Sequence, residues 1–214
     1  LCEKVGADIT HVREAMGYDP RIGSQFLNAG IGYGGCCLPK DVKALAYAGQ
    51  EKQLDLALLK ATDQVNQEQK KWFAQKILAH YPEGVTGKTF ALWGLSFKPN
   101  TDDIREAPAL FLIETLTTRG AQVKAYDPKA LDHSRQIFAD NPRVHFAQNA
   151  EQALEGADAL ILATEWMEFR QPNFSRVKEL LKSPTIFDGR NQYDPNADDV
   201  PQGRFQRCGN QCGQ

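Results

Sequence analysis

The pattern of apolar and polar positions differs between the first two-fifths of the chain and the rest. In the first part apolar residues recur at intervals of three and four, which predicts helices with one buried face. A short helix is predicted to begin after Asp8 or Thr10 and to end near Gly17. A longer helical pattern runs from about 41 to 81, with Gly49 as a candidate break. Its predicted buried face comprises Leu54, Leu58, Ala61, Val65, Trp72, Phe73, Ile77 and Leu78.

After Pro82-Glu83-Gly84 the chain alternates short apolar runs with helical stretches. The predicted strands are 89–97, 122–126, 144–147, 159–163 and 185–187, and the predicted helices include 108–119 and 175–181. Such alternation predicts a parallel sheet covered on both faces, and right-handed crossovers give a doubly wound, Rossmann-like layout. The sequence therefore predicts an α/β protein with a helical region over 1–84, a Rossmann-like domain over 85–204 and a polar tail over 205–214.

Composition narrows the classes of partner and compartment. The chain is 42% hydrophobic and 24% charged, which is typical of a globular protein, and a net charge of -2 gives no electrostatic reason to expect nucleic acid or a membrane as a partner. Five cysteines, an odd number, argue against a disulfide framework and favour a reducing cytoplasm. Cys208 and Cys212 lie in the predicted tail without a matching histidine, and the four histidines are scattered, so we expect no metal site.

Cations follow two of the predicted strands. Lys98 and Arg105 come after the first strand, and Arg190 comes after the last. Because ligands of such sheets bind at the carboxyl ends of the strands, these three side chains are predicted to lie at one edge and to suit a phosphorylated ligand. Charged surface loops are the alternative. The first strand is not followed by G-x-G-x-x-G, since Gly94 stands alone, so a conventional dinucleotide site is not expected in this domain.

The segment from 30 to 41 carries the most specific chemistry. It has four glycines in six residues, then Cys36 and Cys37, then Lys40 and Asp41 at a predicted helix start. Glycines allow the backbone to approach a ligand closely. A thiol beside a helix start and a lysine is expected to have a lowered pKa and to act as a nucleophile, and a buried, inert cysteine is the alternative.

Several separated segments, in order, resemble the UDP-glucose/GDP-mannose dehydrogenase family, in which a cysteine before an x-P-K-D run forms covalent intermediates. The resemblance covers nearly the whole chain, from the late central domain through the carboxyl-terminal domain. The segments are DPRIGSQFLNAGIGYGG, GYGGCCLPKD, SFKPNTDDIRE, YDP, ATEW and FDGRN.

The resemblance implies a role for each matching residue. It makes Cys37 the nucleophile, Asp41 the acid that assists catalysis and positions water, and Cys36 a bystander. Lys40 and Arg105 would contact NAD. The implied substrate-binding residues are Phe26, Leu27, Asn28, Ala29, Gly30, Gly34, Lys98, Arg190 and Arg21, the last reaching the substrate of a neighbouring subunit.

The implied reaction oxidises the C6 alcohol of a nucleotide sugar to a carboxylate with two NAD in turn, through a cysteine-bound thiohemiacetal and thioester. UDP-glucose, giving UDP-glucuronate, is the expected substrate, with GDP-mannose and UDP-N-acetylhexosamines as alternatives. The resemblance also implies a homodimer through the helical region. Because the family's amino-terminal NAD domain has no counterpart in this sequence, the chain alone is expected to be inactive.

Two other classes of function are open to these residues. A non-catalytic module that binds nucleotide sugars would need no reactive cysteine. A cysteine hydrolase would need a histidine base, and no histidine adjoins the cysteine segment in sequence.

Overall fold

The computed structural model describes residues 1–194 and the strand 205–207. The first part of the chain contains four helices: α1 (Cys2–Val5), α2 (Ile9–Gly17), α3 (Leu38–Glu51) and α4 (Ala57–Ala79). Asp8 is the N-cap of α2, and its side chain accepts a hydrogen bond of 2.7 Å from the Thr10 amide, as the sequence predicted. No helix of the described part is both long and apolar enough to cross a membrane.

The second part forms a wholly parallel sheet in the order β3-β2-β1-β4-β5-β6. Its strands are β1 (Thr89–Trp93), β2 (Gln122–Tyr126), β3 (Val144–Phe146), β4 (Ala159–Leu162), β5 (Ile186–Asp188) and β6 (Phe205–Arg207). The helices between them are α5 (Pro108–Thr118), α6 (Leu131–Ile137), α7 (Ala150–Leu154) and α8 (Phe174–Leu180), with a 3-10 turn at Met167–Phe169. The doubly wound α/β prediction is confirmed.

The central strands β1, β4 and β5 are buried on both faces, as their apolar runs predicted. Phe90 and Leu92 point into a cluster shared with α4 and α5, whereas Ala91 and Trp93 point into a second cluster shared with α7 and α8. This alternation follows from the two-residue period of a strand. Because apolar helices cover each face, all the positions of β1 after Thr89 are buried.

Helix α4 joins the two parts of the chain in one core. Its second half places Phe73 and Ile77, both 0% exposed, in the same cluster as the sheet residues. The change of pattern near Gly84 therefore does not mark a separation of cores. The first half of the predicted buried face is wrong. Leu58 and Val65 of α4 are 84% and 61% exposed. Ala61 of α4 and Leu54, which precedes this helix, are exposed as well. These residues find no element of the described chain to cover them.

The helix break and the end of the sheet differ from the sequence prediction. The long helical pattern breaks between Glu51 and Ala57, whereas Gly49 lies inside α3. Gly49 is buried because the Leu56 side chain packs on it, 2.7 Å from where a Cβ would lie. Strand β6 falls within the segment predicted as a polar tail, so the sheet extends beyond 204. Cys208 and Cys212 lie outside the described residues.

Candidate active site at the carboxyl edge of the sheet

A buried carboxylate fixes the carboxyl edge of the sheet. Asp127, 0% exposed, follows β2, and one of its oxygens accepts hydrogen bonds from the Leu95 amide (2.7 Å), the Ser96 amide (3.0 Å) and the Trp166 indole (3.0 Å). The Ser96 hydroxyl donates to the same oxygen, and the other oxygen accepts from two amides of the following turn. Asp127 therefore ties the ends of β1, β2 and β4 together.

The single glycine after β1 serves strand packing. Gly94 has a φ of +92°, and a Cβ there would collide with Thr164, which follows β4. The Thr164 hydroxyl donates a hydrogen bond of 2.5 Å to the Ser96 carbonyl. With its one glycine used in this way, the β1–α5 connection offers no dinucleotide turn, in agreement with the lack of a G-x-G-x-x-G motif.

The cysteine segment crosses this edge from the end of β5 to the end of β1. At the β5 end, Gly30 lies so close to the Arg190 guanidinium that a Cβ would collide with it. At the β1 end, the Gly35 amide donates to the Arg105 carbonyl at 2.7 Å, and a Cβ on Gly34 would lie 2.5 Å from the Glu106 carbonyl oxygen. The glycines thus allow the loop to lie directly on the residues that follow both strands.

Helix α4 supports the loop from behind. The Asn66 amide group pairs with the backbone of Tyr33, accepting from its N–H at 2.7 Å and donating to its carbonyl at 3.1 Å. Gln69 donates to the Gly30 carbonyl at 2.9 Å. Lys70, 4% exposed, donates to the Glu106 carbonyl at 3.3 Å, and burial lowers the pKa of this lysine against the opposing effect of the Glu106 charge.

Sequence reasoning missed these supports. Asn66, Gln69 and Lys70 are spaced by three and four residues and continue the face that carries Phe73 and Ile77. A group of polar residues on a helical face that is otherwise apolar was the pattern that could have revealed these supports.

The two adjacent thiols lie at the start of α3. Cys37 is exposed, Cys36 is half-buried, and their sulfurs are 3.4 Å apart. The pKa of Cys37 is raised, first by the hydrogen bond with the Cys36 thiol and then by the Cys36 charge, burial and Asp41. Lys40 acts in the opposite direction. The expected lowering of this pKa is therefore wrong, because the sequence did not reveal that the neighbouring sulfur would be in contact.

A pocket of about 460 Å³ adjoins the thiols. It brings together the two predicted cofactor contacts, Lys40 and Arg105, with Cys36, which was predicted to be a bystander; the rest of its lining is Gly35, Pro39, Lys43 and Glu106. Arg105 forms two hydrogen bonds to Asp103, of 2.9 and 2.8 Å, and this pairing raises the pKa of the arginine. Among the residues that the structure describes, no histidine lines this pocket as an imidazole base for a hydrolase.

A second, polar cavity of about 590 Å³ contains another group of the predicted residues, Asn28, Ala29 and Arg190. The Arg190 guanidinium is bound by Glu165, with an Nε–Oε2 distance of 2.6 Å. Asn28 accepts a hydrogen bond of 2.6 Å from Arg13 of α2. This cavity therefore holds predicted substrate residues, whereas the pocket beside the thiols holds the predicted cofactor residues Lys40 and Arg105.

The other predicted site residues, Cys37 and Asp41 among them, line neither of these cavities. Arg21 is exposed and binds Asp19, and Phe26 is 96% exposed with a φ of +64°. Lys98 is exposed, with its ammonium 5.3 Å from the centre of the Phe97 ring. Leu27 is half-buried, and Gly34 is buried beneath the backbone of Glu106. Among the described residues no cluster of three or more His, Cys, Asp or Glu side chains could hold a metal ion.

A doubly wound sheet with cations and a cysteine loop at its carboxyl edge defines an α/β protein of the nucleotide-binding type. Residues 91–195 match the UDP binding domain of the UDP-glucose/GDP-mannose dehydrogenase family, and residues 1–68 match the central domain of the same family. The chain belongs to this family.

Related proteins agree with this assignment. UDP-glucose 6-dehydrogenase YwqF of Bacillus subtilis is 46% identical over 193 residues, which are 90% of this chain and 43% of the relative. A UDP-glucose dehydrogenase structure from Pyrobaculum islandicum superposes with a TM-score of 0.80 at 31% identity, over 96% of this chain and 44% of that one. A UDP-D-ManNAc dehydrogenase structure from Pyrococcus horikoshii gives 0.77 at 26% identity, over 96% and 45%. The chain therefore spans less than half the length of these relatives.

Proposed function

We propose that this chain forms the covalent and substrate-binding half of an NAD-dependent nucleotide-sugar 6-dehydrogenase that oxidises UDP-glucose to UDP-glucuronate. The observation that carries the proposal is the exposed Cys37 in a loop lying across the carboxyl edge of a sheet whose residues match a UDP binding domain. The free thiols of Cys2, Cys36 and Cys37 fit a reducing cytoplasm, which we take as the compartment.

The covalent steps fall to residues at the start of α3. The C6 alcohol of the sugar is first oxidised to an aldehyde. The Cys37 thiolate adds to the aldehyde carbon, and oxidation of the thiohemiacetal gives a thioester, from which water releases the carboxylate and the thiol. The Lys40 charge favours the thiolate. Asp41 lies one helical turn after Cys37, with its amide bonded to the Cys37 carbonyl at 2.8 Å, and can position the water.

NAD, when bound, would supply the hydride acceptor for each of the two oxidations. Lys40 and Arg105, which line the pocket beside the thiols, fit contacts with its phosphates. The β1–α5 connection does not fit a dinucleotide pyrophosphate, because its one glycine is packed against Thr164. We therefore propose that most of the NAD site lies in a part of the protein outside this chain, and that the chain alone does not turn over.

The proposed sugar and base rest on the related proteins. UDP-glucose is favoured by the name of the Bacillus subtilis relative, and a UDP-N-acetylhexosamine is the second candidate because of the Pyrococcus horikoshii neighbour. GDP-mannose is a further alternative within the family. A panel of these nucleotide sugars, with NADH followed at 340 nm in the full-length protein, distinguishes them.

The role of Cys37 is tested by serine substitution in the full-length protein. Cys37→Ser is expected to lower NADH production by at least about 10³-fold, because the hydroxyl is a much weaker nucleophile than the thiolate. Cys36→Ser is the matched control and should keep most of the activity, since removing the neighbouring thiol removes the first cause of the raised Cys37 pKa. The opposite ranking would refute the assignment.

The second prediction concerns which ligand this chain binds. Calorimetry should detect UDP more readily than NAD, and Lys98→Ala should weaken UDP binding about tenfold through loss of a charge-assisted contact. Lys178→Ala, an exposed lysine on α8, is the control and should leave the affinity unchanged. Tighter binding of NAD than of UDP would contradict the proposal.

The third prediction is a homodimer through the helical region. The first half of α4 exposes Leu58 and Val65, which border an apolar groove of about 430 Å³, and Arg21 is 87% exposed in its side chain. A second copy that covers this face would bury the apolar groups, and Arg21 would approach Cys37 of the partner subunit.

Light scattering should give a dimer, and Val65→Glu should convert it to a monomer. Met167→Glu is the control, because Met167 is also exposed, at 75%, but lies on the sheet domain. A dimer that survives Val65→Glu and dissociates with Met167→Glu would place the interface on the sheet domain instead.

A further inference from the structure

The thiol pair at the start of α3 has a feature that the proposed reaction does not use. Only one sulfur is needed to hold a sugar, yet the Cys36 and Cys37 sulfurs lie 3.4 Å apart in a bend that precedes the helix. Neither residue is buried. Two sulfurs in contact and open to small molecules can be joined when their side chains rotate and the backbone between them adjusts, while the flanking helix and sheet stay in place.

We propose that Cys36 and Cys37 form a reversible oxidation site, in which hydrogen peroxide converts the two thiols to a disulfide between adjacent residues. One thiolate attacks the peroxide O–O bond, which gives a sulfenic acid and releases hydroxide. The neighbouring thiol then attacks that sulfur and expels a second hydroxide, which leaves as water. In sum, two thiols lose two electrons and two protons, and one peroxide becomes two waters.

Two cations near the pair, Arg105 and Lys40, oppose the effects that raise the pKa of Cys37. Arg105 lies close enough that the charges of both cysteines contribute to the raised pKa of its guanidinium, after the larger effect of Asp103. Lys40 lines the pocket beside Cys36. Positive charge near a thiol stabilises the thiolate, which is the form that attacks peroxide. The pKa of Asp103 is lowered first by Arg105 and also by the Cys36 thiol. This contact between Asp103 and the thiol helps to fix the Cys36 side chain.

Adjacency makes the bond easy to reverse. Consecutive Cα atoms are about 3.8 Å apart, which is shorter than the span of about 4.4–6.8 Å that an unstrained disulfide takes. The resulting ring is strained, and strained, exposed disulfides are the ones that cellular thiols reduce readily. The disulfide would also prevent Cys37 from adding to an aldehyde. This regulatory consequence rests on the proposed role of Cys37, whereas formation of the disulfide does not.

Mass spectrometry of tryptic peptides tests the disulfide directly. Cleavage after Arg21 and Lys40 releases residues 22–40, which contain Cys36 and Cys37 and no other cysteine. After a brief exposure of the full-length protein to peroxide, this peptide should lose the mass of two hydrogens and regain it with dithiothreitol. Oxygen added to Cys37 with no such loss, or a cross-link to the peptides carrying Cys2, Cys208 or Cys212, would overturn the proposal.

Activity provides an independent readout. Wild-type protein should lose NADH production with peroxide and recover most of it with dithiothreitol. Cys36→Ser should start near wild-type activity but recover about fivefold less, because a sulfenic acid without a neighbouring thiol proceeds to irreversible sulfinic acid. Cys2→Ser should behave like wild type. Equal recovery by Cys36→Ser would overturn the protective role, and a disulfide that forms without loss of activity would contradict the proposed function of Cys37 instead.

Discussion

Both oxygens of the buried Asp127 carboxylate accept hydrogen bonds. Its carboxylate accepts six hydrogen bonds, from four backbone amides, one hydroxyl and one indole. A buried charge is costly unless its lone pairs are satisfied, and a protonated acid here would direct its hydrogen at another donor. The charge therefore holds the chain after β1 and the Trp166 turn after β4 in one arrangement.

The cysteine loop depends on that arrangement. The segment after β1 presents Phe97, Arg105 and Glu106 to the loop. A Cβ on Gly34 would collide with Glu106, and a Cβ on Gly35 would collide with Phe97. Lys70 then bonds the Glu106 backbone from the opposite side. In this way a hydrogen-bonding requirement within the sheet determines where Cys37 lies, although Cys37 itself touches none of the strands.

Residues whose environment is set by the local pattern could be predicted from the sequence. Strand β2 was predicted over its observed range of 122–126, and its burial alternates as in a strand with one covered face, since Val123 and Ala125 are buried and Gln122 is exposed. The rule for strand ends predicted that Lys98, Arg105 and Arg190 lie together at one edge. In the structure Arg105 and Arg190 line different cavities, and Lys98 lines neither of the two. Strand β1 ends four residues earlier than predicted because Gly94 turns the chain to meet Thr164.

Features that depend on contacts between distant residues could not be predicted in this way. The role of Asn66 comes from a hydrogen bond to a residue 33 positions away, and no periodicity encodes it. The raised pKa of Cys37 depends on which way the Cys36 side chain points. The exposure of Leu58 depends on what is available to cover it, and a helical pattern predicts only that a face is apolar.

Hydrogen exchange of the Asp127→Asn variant tests most directly whether this carboxylate determines the position of the cysteine loop. The amide that replaces the carboxylate turns an NH₂ group towards donors and should cost about 2–4 kcal/mol of folding free energy. Asp132→Asn is the matched control, since that side chain is 89% exposed. We expect the amides of Asp127→Asn to exchange faster than those of the wild type both at 95–106 and in the cysteine loop at 30–37, with α8 unchanged. Faster exchange at 95–106 with an unchanged cysteine loop would contradict this expectation.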